Sequence, residues 1–244
     1  MLEKNLLQIL NESKYTVALL GQGMVQESGY PVFRDGDTPY EVEEKYGYSV
    51  EEIYSSAFYS TRKELFYQFY RGELLSKIDM PPGLGYDCLA KLQKEGMIDS
   101  FITRRIFGLA ERAGCKNVFN LHGSIYDNFC PHCGKKYPIE FVLNSKKNVP
   151  LCTECNMAVR PNVTLLGEMV DNGLMTKATE EVSKAEAILV LGTSLNTSLC
   201  NRLIQYYEGD KLILVNQNEH FSDKAANIVI HDRVDETLKK LIEK

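Results

Sequence analysis

The sequence lacks three features that would assign it to large classes of proteins. No segment gathers five or more lysine or arginine residues, so the basic surface expected of a nucleic-acid-binding protein is missing. No apolar run approaches the roughly 20 residues that a membrane-spanning helix requires, and no internal repeat or low-complexity segment occurs. We therefore expect a cytoplasmic globular protein whose partners are neither nucleic acids nor membranes.

The composition that is present is that of an ordinary globular protein. The 244 residues, 44% of them hydrophobic and 25% charged, suffice for one large domain and a small satellite, and the net charge of −5 is modest. Four of the seven cysteines form two Cys-x-x-Cys pairs, which in a reducing compartment favours metal binding over disulfides. We expect Cys88, Cys115 and Cys200 to be small buried hydrophobic residues.

Short apolar runs alternate with helical apolar spacing, which predicts an α/β fold with a parallel sheet. The runs that predict strands are residues 16–20, 100–103, 118–121, 187–191, 211–215 and 228–230. Helical spacing occurs before the first run, around residues 88–92, and after Val234.

The first apolar run ends at Gly21-Gln22-Gly23. A strand that stops at glycines and feeds a helix presents free backbone N–H groups to a phosphate, because no Cβ blocks the approach. An ordinary tight strand-to-helix turn has the same pattern, so both interpretations stay open. Residues 24–35 contain Ser-Gly and Tyr-Pro steps, which favour an irregular loop over continued helix, and a long loop beside a glycine turn is usually a ligand cover.

Polar residues follow three other predicted strands. Gly192-Thr193-Ser194 and Asn216 offer small or amide groups suited to ribose and phosphate oxygens. His122 follows the run 118–121, where an α/β sheet places its ligand residues. A histidine there is either a general base or a hydrogen-bonded structural residue.

Residues 37–79 interrupt the α/β pattern with many aromatic side chains at helical spacing. This composition predicts a small helical module whose aromatic rings pack against the main domain rather than bind a ligand.

A second interruption contains the two cysteine pairs, Cys130-x-x-Cys133 and Cys152-x-x-Cys155, with eighteen residues between them. Four thiolates at this spacing can surround one zinc ion tetrahedrally, as in a zinc ribbon. We expect the zinc to be structural, because four sulfur ligands leave no position for a reactive water. The segment 125–162 is too small to bury much surface, so metal binding should supply most of its folding free energy.

The ordered set of motifs resembles the sirtuin family over nearly the whole chain. The family's Gly-Ala-Gly-Ile-Ser…Ser-Gly-Ile-Pro-Asp-Phe-Arg is similar to residues 21–34 of this sequence. The further matches are Leu121-His122-Gly123-Ser124, the four paired cysteines, residues 160–168, Gly192-Thr193-Ser194-Leu195 and Asn216.

The resemblance implies a Rossmann-like NAD-binding domain made of residues 1–36, 80–124 and 163–244. It also implies a small domain made of the helical module 37–79 and the zinc-ribbon module 125–162, with NAD bound in the cleft between the domains. The residues implied to bind NAD are Gly21, Gln22, Gly23, Phe33, Arg34, Arg104, Arg105, Gly192, Thr193, Ser194 and Asn216.

The activity implied by the resemblance is that of an NAD-dependent protein lysine deacylase. In the family the counterpart of His122 is the general base, and it acts on the NAD ribose as the acyl-lysine oxygen captures the anomeric carbon and nicotinamide leaves. The acyl group passes to ADP-ribose and lysine is freed. An acylated protein or peptide is therefore the implied partner, beside NAD and one structural zinc ion.

Several departures from the family pattern fall at the chemistry. Arg105 stands where the family has an Asn that positions the ribose and its water, and Phe107 replaces an Asp that accepts a hydrogen bond from the nicotinamide carboxamide. Arg105 either opposes the positive charge that develops at the ribose carbon or points away and holds a phosphate or carboxylate. These changes keep two alternatives open: an ADP-ribosyltransferase variant, or a catalytically impaired module that binds NAD or ADP-ribose.

The segments that bind the substrate peptide in the family also differ, since Leu166 stands where the family has Phe. Members that remove acidic acyl groups have Tyr-x-x-Arg on the small-domain helix, and the best match here is Gln68-x-x-Arg71. Succinyl or malonyl specificity is therefore not expected.

Overall fold

The structure is a computed structural model, and it describes residues 2–33 and 38–243. The strands in this part of the chain are β1 (Thr16–Leu20), β2 (Ser100–Thr103), β3 (Val118–Asn120), β4 (Gly123–Phe129), β5 (Lys136–Tyr137), β6 (Arg160–Val163), β7 (Ala187–Leu191), β8 (Leu212–Val215) and β9 (Ile228–Ile230). The helices are α1 (Leu2–Glu12), α2 (Gln22–Glu27), α3 (Thr38–Tyr46), α4 (Val50–Ile53), α5 (Ser56–Thr61), α6 (Lys63–Phe69), α7 (Leu84–Lys94), α8 (Leu109–Arg112), α9 (Ile139–Leu143), α10 (Asn172–Ser183), α11 (Ser198–Ile204) and α12 (Val234–Ile242).

A π-helical turn, Tyr70–Leu74, follows α6, and a 3₁₀ turn, Phe221–Ala225, lies between β8 and β9. Across the described ranges, no helix is both long enough and apolar enough to cross a membrane. The chain divides into two compact units. The larger unit contains residues 1–30, 81–121 and 171–244, and the smaller contains residues 31–80 and 122–170.

The larger unit is built on a parallel six-stranded sheet with the order β3-β2-β1-β7-β8-β9. Numbered within the sheet, this is the order 3-2-1-4-5-6 of a doubly wound Rossmann fold. The chain order reverses between β1 and β7, and sheets of this kind bind ligands beyond the carboxyl ends of the strands at such a point. The predicted fold class is confirmed.

The four central strands of this sheet are buried along their whole length. Helices cover both faces of a doubly wound sheet, so its central strands appear in the sequence as continuous apolar runs rather than as alternating patterns. This is why the runs 16–20, 100–103 and 187–191 predict β1, β2 and β7 correctly. The lone cysteines Cys88, Cys115 and Cys200 are also buried, as expected.

The segment after the glycine turn differs from the prediction. An irregular loop was expected from Met24 onward, but helix α2 continues to Glu27. The helix then ends because Gly29 adopts a left-handed conformation, with φ of 75°. Its amide donates to the Gln26 carbonyl (2.9 Å) and the Tyr30 amide donates to the Val25 carbonyl (3.2 Å), which together form a Schellman cap. The Ser-Gly step therefore marks the end of a helix, and the irregular segment begins only there.

The helical part of the smaller unit is held together by aromatic rings. Phe66, Tyr67, Phe69 and Tyr70 have no exposed surface. Phe66 stacks on Tyr70 with 5.5 Å between ring centroids, and it meets Tyr67 edge-on at 5.4 Å. Offset-stacked and edge-to-face pairs are the favoured arrangements of aromatic rings, so these side chains form a core within the unit.

The rest of the smaller unit is an antiparallel sheet with the order β5-β4-β6. Helix α9 packs near β4, and the register of β4 and β6 shifts between Ser124 and Asn128. A small apolar cluster that includes Tyr137 and Val159 lies beside the cysteine pairs, and Ile125 of β4 and Val163 of β6 are also buried. A sheet of this size needs additional stabilisation, for which a metal ion is a common source.

Helix α2 is joined to the last helix of the larger unit through one carboxylate. Glu27 accepts hydrogen bonds from the amides of Val234 (3.0 Å) and Asp235 (2.9 Å), the first two residues of α12. These amides have no partner within the helix, and a carboxylate at a helix N-terminus also interacts favourably with the helix dipole. Glu27 thus fixes α12 relative to the helix that follows the glycine turn.

We predict that Glu27→Ala will lower the free energy of unfolding by about 1 to 2 kcal/mol, because both amides of α12 lose their acceptor. The matched control is Gln26→Ala, the adjacent exposed residue of the same helix. The measurement is urea denaturation followed by circular dichroism. Equal stability of the two variants would contradict this role of Glu27.

Candidate functional site

The strand register brings most of the predicted NAD-binding residues to one edge of the sheet. The paired final residues of the six strands are Asn120, Thr103, Leu20, Leu191, Val215 and Ile230. The amides that follow continue this pairing, since Gly21 donates to Leu191 (2.8 Å) and Gly192 donates to Val215 (2.9 Å). Arg104, Gly21, Gly192 and Asn216 therefore lie together at the carboxyl edge, where the chain order reverses.

Two glycine turns touch at this edge. A Cβ on Gly21 would lie 2.3 Å from the Thr193 Cβ, and a Cβ on Gly23 would lie 2.9 Å from the Gly192 Cα. Gly192 itself has a positive φ of 63°, which other residues rarely adopt. The turns after β1 and β7 can pack this closely only because glycine occupies all three positions.

The hydrogen bonds of these turns bear on the two open interpretations of the glycine pattern, a phosphate site with free amides and an ordinary tight turn. The Gly21 and Gly23 amides each donate to a backbone carbonyl at 2.8 Å, Gly21 to Leu191 and Gly23 to Gly192. The two glycines are thus required by the close contact of the turns, and their own N–H groups are already used. Half-buried Gln22 lies between them as the first residue of α2.

The next strand end places two arginines beside the glycine turns. The Thr103 hydroxyl donates to the Leu20 carbonyl (3.0 Å) and accepts from the Arg105 amide (3.0 Å), which fixes the backbone after β2. Arg104 donates to the hydroxyl of Ser198, the first residue of α11. The Arg105 charge acts on buried Tyr86, partly opposing the rise in the pKa of that hydroxyl caused by burial.

Phe107 is almost fully buried. The residue is only 5% exposed, and its ring centroid lies 5.1 Å from that of Tyr30, which is 3% exposed. Arg112 donates a hydrogen bond to the Tyr30 hydroxyl. The residue that replaces the family's Asp is therefore packed against an aromatic partner that the sequence alone did not identify.

The turn after β7 and the residue after β8 supply polar groups to the same edge. The Thr193 hydroxyl contacts the Thr197 hydroxyl (3.3 Å), and the Ser194 hydroxyl contacts the Ser222 hydroxyl (3.2 Å). Asn216 donates its side-chain amide to the Asn218 carbonyl (2.8 Å). Each group retains donors or acceptors suited to sugar and phosphate oxygens.

His122 lies between β3 and β4, at the start of the second segment of the smaller unit. It is half-buried, and its carbonyl accepts a hydrogen bond from the Thr164 amide at 2.9 Å. The next residue, Gly123, has a φ of 73°, and a Cβ there would lie 1.9 Å from the Asn162 carbonyl oxygen. The backbone that holds His122 is thus fixed by a position where only glycine fits.

Of the predicted residues in the loop after α2, the structure describes Phe33 but not Arg34, which lies outside the described residues. The Phe33 ring packs against Phe69, with 5.6 Å between centroids. Elsewhere in the same unit, Arg71 donates to the carbonyls of Val142 (3.0 Å) and Asn148 (3.2 Å), while Gln68 is exposed. Arg71 is thus engaged in joining two parts of the smaller unit, rather than paired with Gln68.

The two cysteine pairs form turns with the same backbone geometry. In one, the Gly134 amide donates a hydrogen bond to the Cys130 carbonyl (2.9 Å). In the other, the Asn156 amide donates to the Cys152 carbonyl (3.0 Å). Gly134 and Asn156 both have positive φ, 76° and 60°. This repeated turn is a reason why each Cys-x-x-Cys pair can direct both thiols to one point.

The four Sγ atoms of Cys130, Cys133, Cys152 and Cys155 lie within 4.8 Å of one another. Zinc with four sulfur ligands at 2.3 Å places the sulfur atoms about 3.8 Å apart, so the cluster fits one tetrahedral ion. The Tyr137 hydroxyl and the Glu154 amide donate to the Cys152 sulfur, at 3.1 and 3.4 Å. Such donors orient a thiolate ligand and balance its charge. His132, between the ligands, is exposed.

Comparison with known proteins identifies the family. The profile of the Sir2 family matches residues 21–198. The chain belongs to the Sir2 family. It is 35% identical over 235 residues to a protein named NAD-dependent protein deacetylase from Clostridium acetobutylicum, and the match covers 96% of both chains.

Solved structures agree with this assignment. A sirtuin structure from work on substrate affinity superposes with a TM-score of 0.92 at 34% identity, covering 100% of this chain and 99% of the other. A structure of Sir2 with a p53 peptide and NAD+ gives a TM-score of 0.85 at 32% identity, covering 100% of this chain and 98% of the other. The expected sirtuin relationship of the chain is confirmed.

Sequence reasoning missed several contacts of this Sir2-family site. Ser198 as the partner of Arg104 and Ser222 as the partner of Ser194 had no signal in the motifs. The contact of Tyr30 with Phe107 did have a sequence signal, because Tyr30 replaces the Ile of the family pattern just as Phe107 replaces the Asp. In the structure the two replacements contact each other.

We predict that the purified protein contains one zinc ion per chain and that Cys152→Ser removes it and lowers the thermal stability. The reason is that the serine hydroxyl is a poor substitute for a thiolate ligand. Zinc is measured by elemental analysis beside a melting curve. Cys115→Ala, a buried cysteine outside the cluster, is the control and should keep its zinc; zinc-free wild-type protein of equal stability would contradict the prediction.

Proposed function

We propose that this chain is an NAD-dependent protein lysine deacylase, which transfers an acyl group from lysine to ADP-ribose and releases nicotinamide. The observation that supports this most directly is the row of Arg104, Gly21, Gly192 and Asn216 at the edge where the sheet order reverses. The Clostridium acetobutylicum relative is named NAD-dependent protein deacetylase, and a structural neighbour was solved with a p53 peptide and NAD+.

The residues of the larger unit fit the ADP-ribose part of NAD. Thr193, Ser194 and Asn216 offer hydroxyl and amide groups to ribose and phosphate oxygens. Arg104 supplies positive charge beside the glycine turns, which suits a pyrophosphate. Gln22 and Arg105 complete the set from the larger unit. Phe33 and Arg34, which belong to the smaller unit, are also proposed to bind NAD.

His122 is the proposed general base. NAD supplies the nicotinamide leaving group and the ribose that receives the acyl group. The imidazole of His122 takes a proton from a ribose hydroxyl as the acyl-lysine oxygen bonds to the anomeric carbon, a role suited to a half-buried histidine. The zinc ion held by the four cysteines has a structural role only, because its coordination is complete.

We also propose the domain boundaries and the cellular location of the protein. Residues 1–36, 80–124 and 163–244 form the NAD-binding domain, and residues 37–79 and 125–162 form the small domain. The site of action is the cytoplasm, because a zinc cluster of four thiolates requires cysteines that stay reduced.

We predict that the wild-type protein releases nicotinamide from NAD when an acylated peptide is present, and that His122→Ala lowers the rate at least about 100-fold, the usual contribution of a general base. The assay follows nicotinamide with peptides bearing acetyl and longer acyl groups. The control is His132→Ala, an exposed histidine that should leave the rate unchanged.

Two outcomes would contradict the deacylase proposal. The binding module would be favoured if calorimetry detects NAD or ADP-ribose binding and the assay detects no nicotinamide release that depends on His122. Transfer of ADP-ribose to protein, without formation of acylated ADP-ribose, would favour the transferase variant.

We predict that Arg105→Asn raises the rate of nicotinamide release about fivefold, since a like charge at about 4 Å opposes the developing positive charge by about 1 kcal/mol in water. The control is Arg202→Asn, an exposed arginine on α11. The test compares kcat and the KM for NAD. An unchanged kcat with a higher KM would mean that Arg105 holds a phosphate instead.

A further inference from the structure

The larger unit has two points at which the chain leaves it near proposed functional residues. After Tyr30 the chain enters the loop that begins at Pro31 and contains Phe33. After Leu121 it enters His122. We call these two points the first exit and the second exit. The residues on the larger-unit side of both points contact one short helix, α8, or the residues that directly precede it.

The first exit is held at Tyr30 by three contacts. Its amide closes the end of α2 by donating to Val25 (3.2 Å). Its ring packs on Phe107, and its hydroxyl accepts a hydrogen bond from Arg112, the last residue of α8. Tyr30 is 3% exposed, and these contacts hold the backbone just before Pro31.

The second exit is held at Asn120 and Leu121. The Leu121 amide donates to the Thr103 carbonyl at 2.8 Å, and the Asn120 side-chain amide donates to the carboxylate of Glu111 in α8. The Asn120 Oδ1 atom is buried and has no hydrogen-bond partner within residues 2–33 and 38–243. Glu111 therefore orients the amide two residues before His122.

Helix α8 is itself firmly fixed despite its four residues. It begins after Gly108, which has a left-handed conformation with φ of 58°, and it is followed by Gly114 with φ of 100°. The Gly114 amide donates to the Glu111 backbone carbonyl (3.0 Å) and the Cys115 amide donates to the Ala110 carbonyl (2.9 Å). These two bonds form a Schellman cap. Glu111 and Arg112 are adjacent in this helix and hold different exits.

We propose that α8 is a positioning element that holds both exits, with Glu111 positioning the backbone of His122 and Arg112 positioning the start of the loop with Phe33. The inference rests on the proposed function, because the two exits lead to the proposed base and to a proposed NAD contact. Glu111 and Arg112 do not touch the reacting atoms. They act through Asn120 and Tyr30.

The first test uses Glu111. Loss of a hydrogen bond to a charged group changes an equilibrium roughly tenfold, so we expect Glu111→Ala to lower kcat by that factor and to leave the KM for NAD unchanged. Glu111→Gln should restore most of the rate, because its amide oxygen still accepts from Asn120. Amide hydrogen exchange of a peptide covering residues 118–124 should be faster in the alanine variant than in the wild type or the glutamine variant.

The second test uses Arg112→Met, which keeps an apolar stem but removes the donor to Tyr30. Here we expect the KM for NAD to rise about tenfold with kcat little changed, because the loop rather than the base loses its anchor. The control for both tests is Glu95→Ala, an exposed residue after α7 that should leave kcat, KM and exchange unchanged.

The positioning role is overturned if the two variants lower kcat and raise KM in the same proportion, as a general loss of stability would do. It is also overturned if hydrogen exchange of residues 118–124 is the same in Glu111→Ala and in the wild type. Wild-type protein without nicotinamide release that depends on His122 refutes the proposed function instead, and the exchange measurement still decides the role of α8.

Discussion

The structure depends on the contact between the turns after β1 and β7. These strands are neighbours in the sheet, since Leu20 pairs with Leu191. They are neighbours although more than 160 residues separate them in the sequence. Two backbone hydrogen bonds join the turns, and glycines at positions 21, 23 and 192 allow their close approach. This contact fixes where α2 begins and where the residues after β7 lie. The proposed NAD site is therefore a consequence of how two parallel strands end.

The smaller unit is stabilised by different means. Its helical part has an aromatic core, in which four fully buried rings belong to one short segment, residues 66–70. In its sheet part, a small apolar cluster lies beside four cysteines that converge from two matching turns. Metal–thiolate bonds add to hydrophobic burial where a segment is short.

The sequence was most informative where one physical requirement governs a whole segment. Central parallel strands must be apolar on both faces, so β1, β2 and β7 could be located from composition. The zinc site could be located because its ligands come in pairs with fixed spacing. Contacts between distant side chains, such as Arg104 with Ser198, depend on register and on side-chain direction, and neither is visible as a local pattern.

The glycine turn shows how one motif can fit two explanations. The Gly21-Gln22-Gly23 pattern fits both a phosphate site with free amides and an ordinary tight turn, and the Gly21 and Gly23 amides are bound to carbonyls of the neighbouring turn. Likewise the Ser-Gly step was interpreted as the start of a loop, and it is a helix cap. In both cases the partner that makes the glycine necessary is distant in sequence or belongs to the preceding helix.

The aromatic contact between Tyr30 and Phe107 has a consequence for comparing this chain with its relatives. Both residues depart from the family pattern, and their rings are in contact in this chain. Exchanging only one of them for the family residue would bury a carboxylate against tyrosine or leave phenylalanine beside a smaller neighbour. Consensus design should therefore change the two positions together.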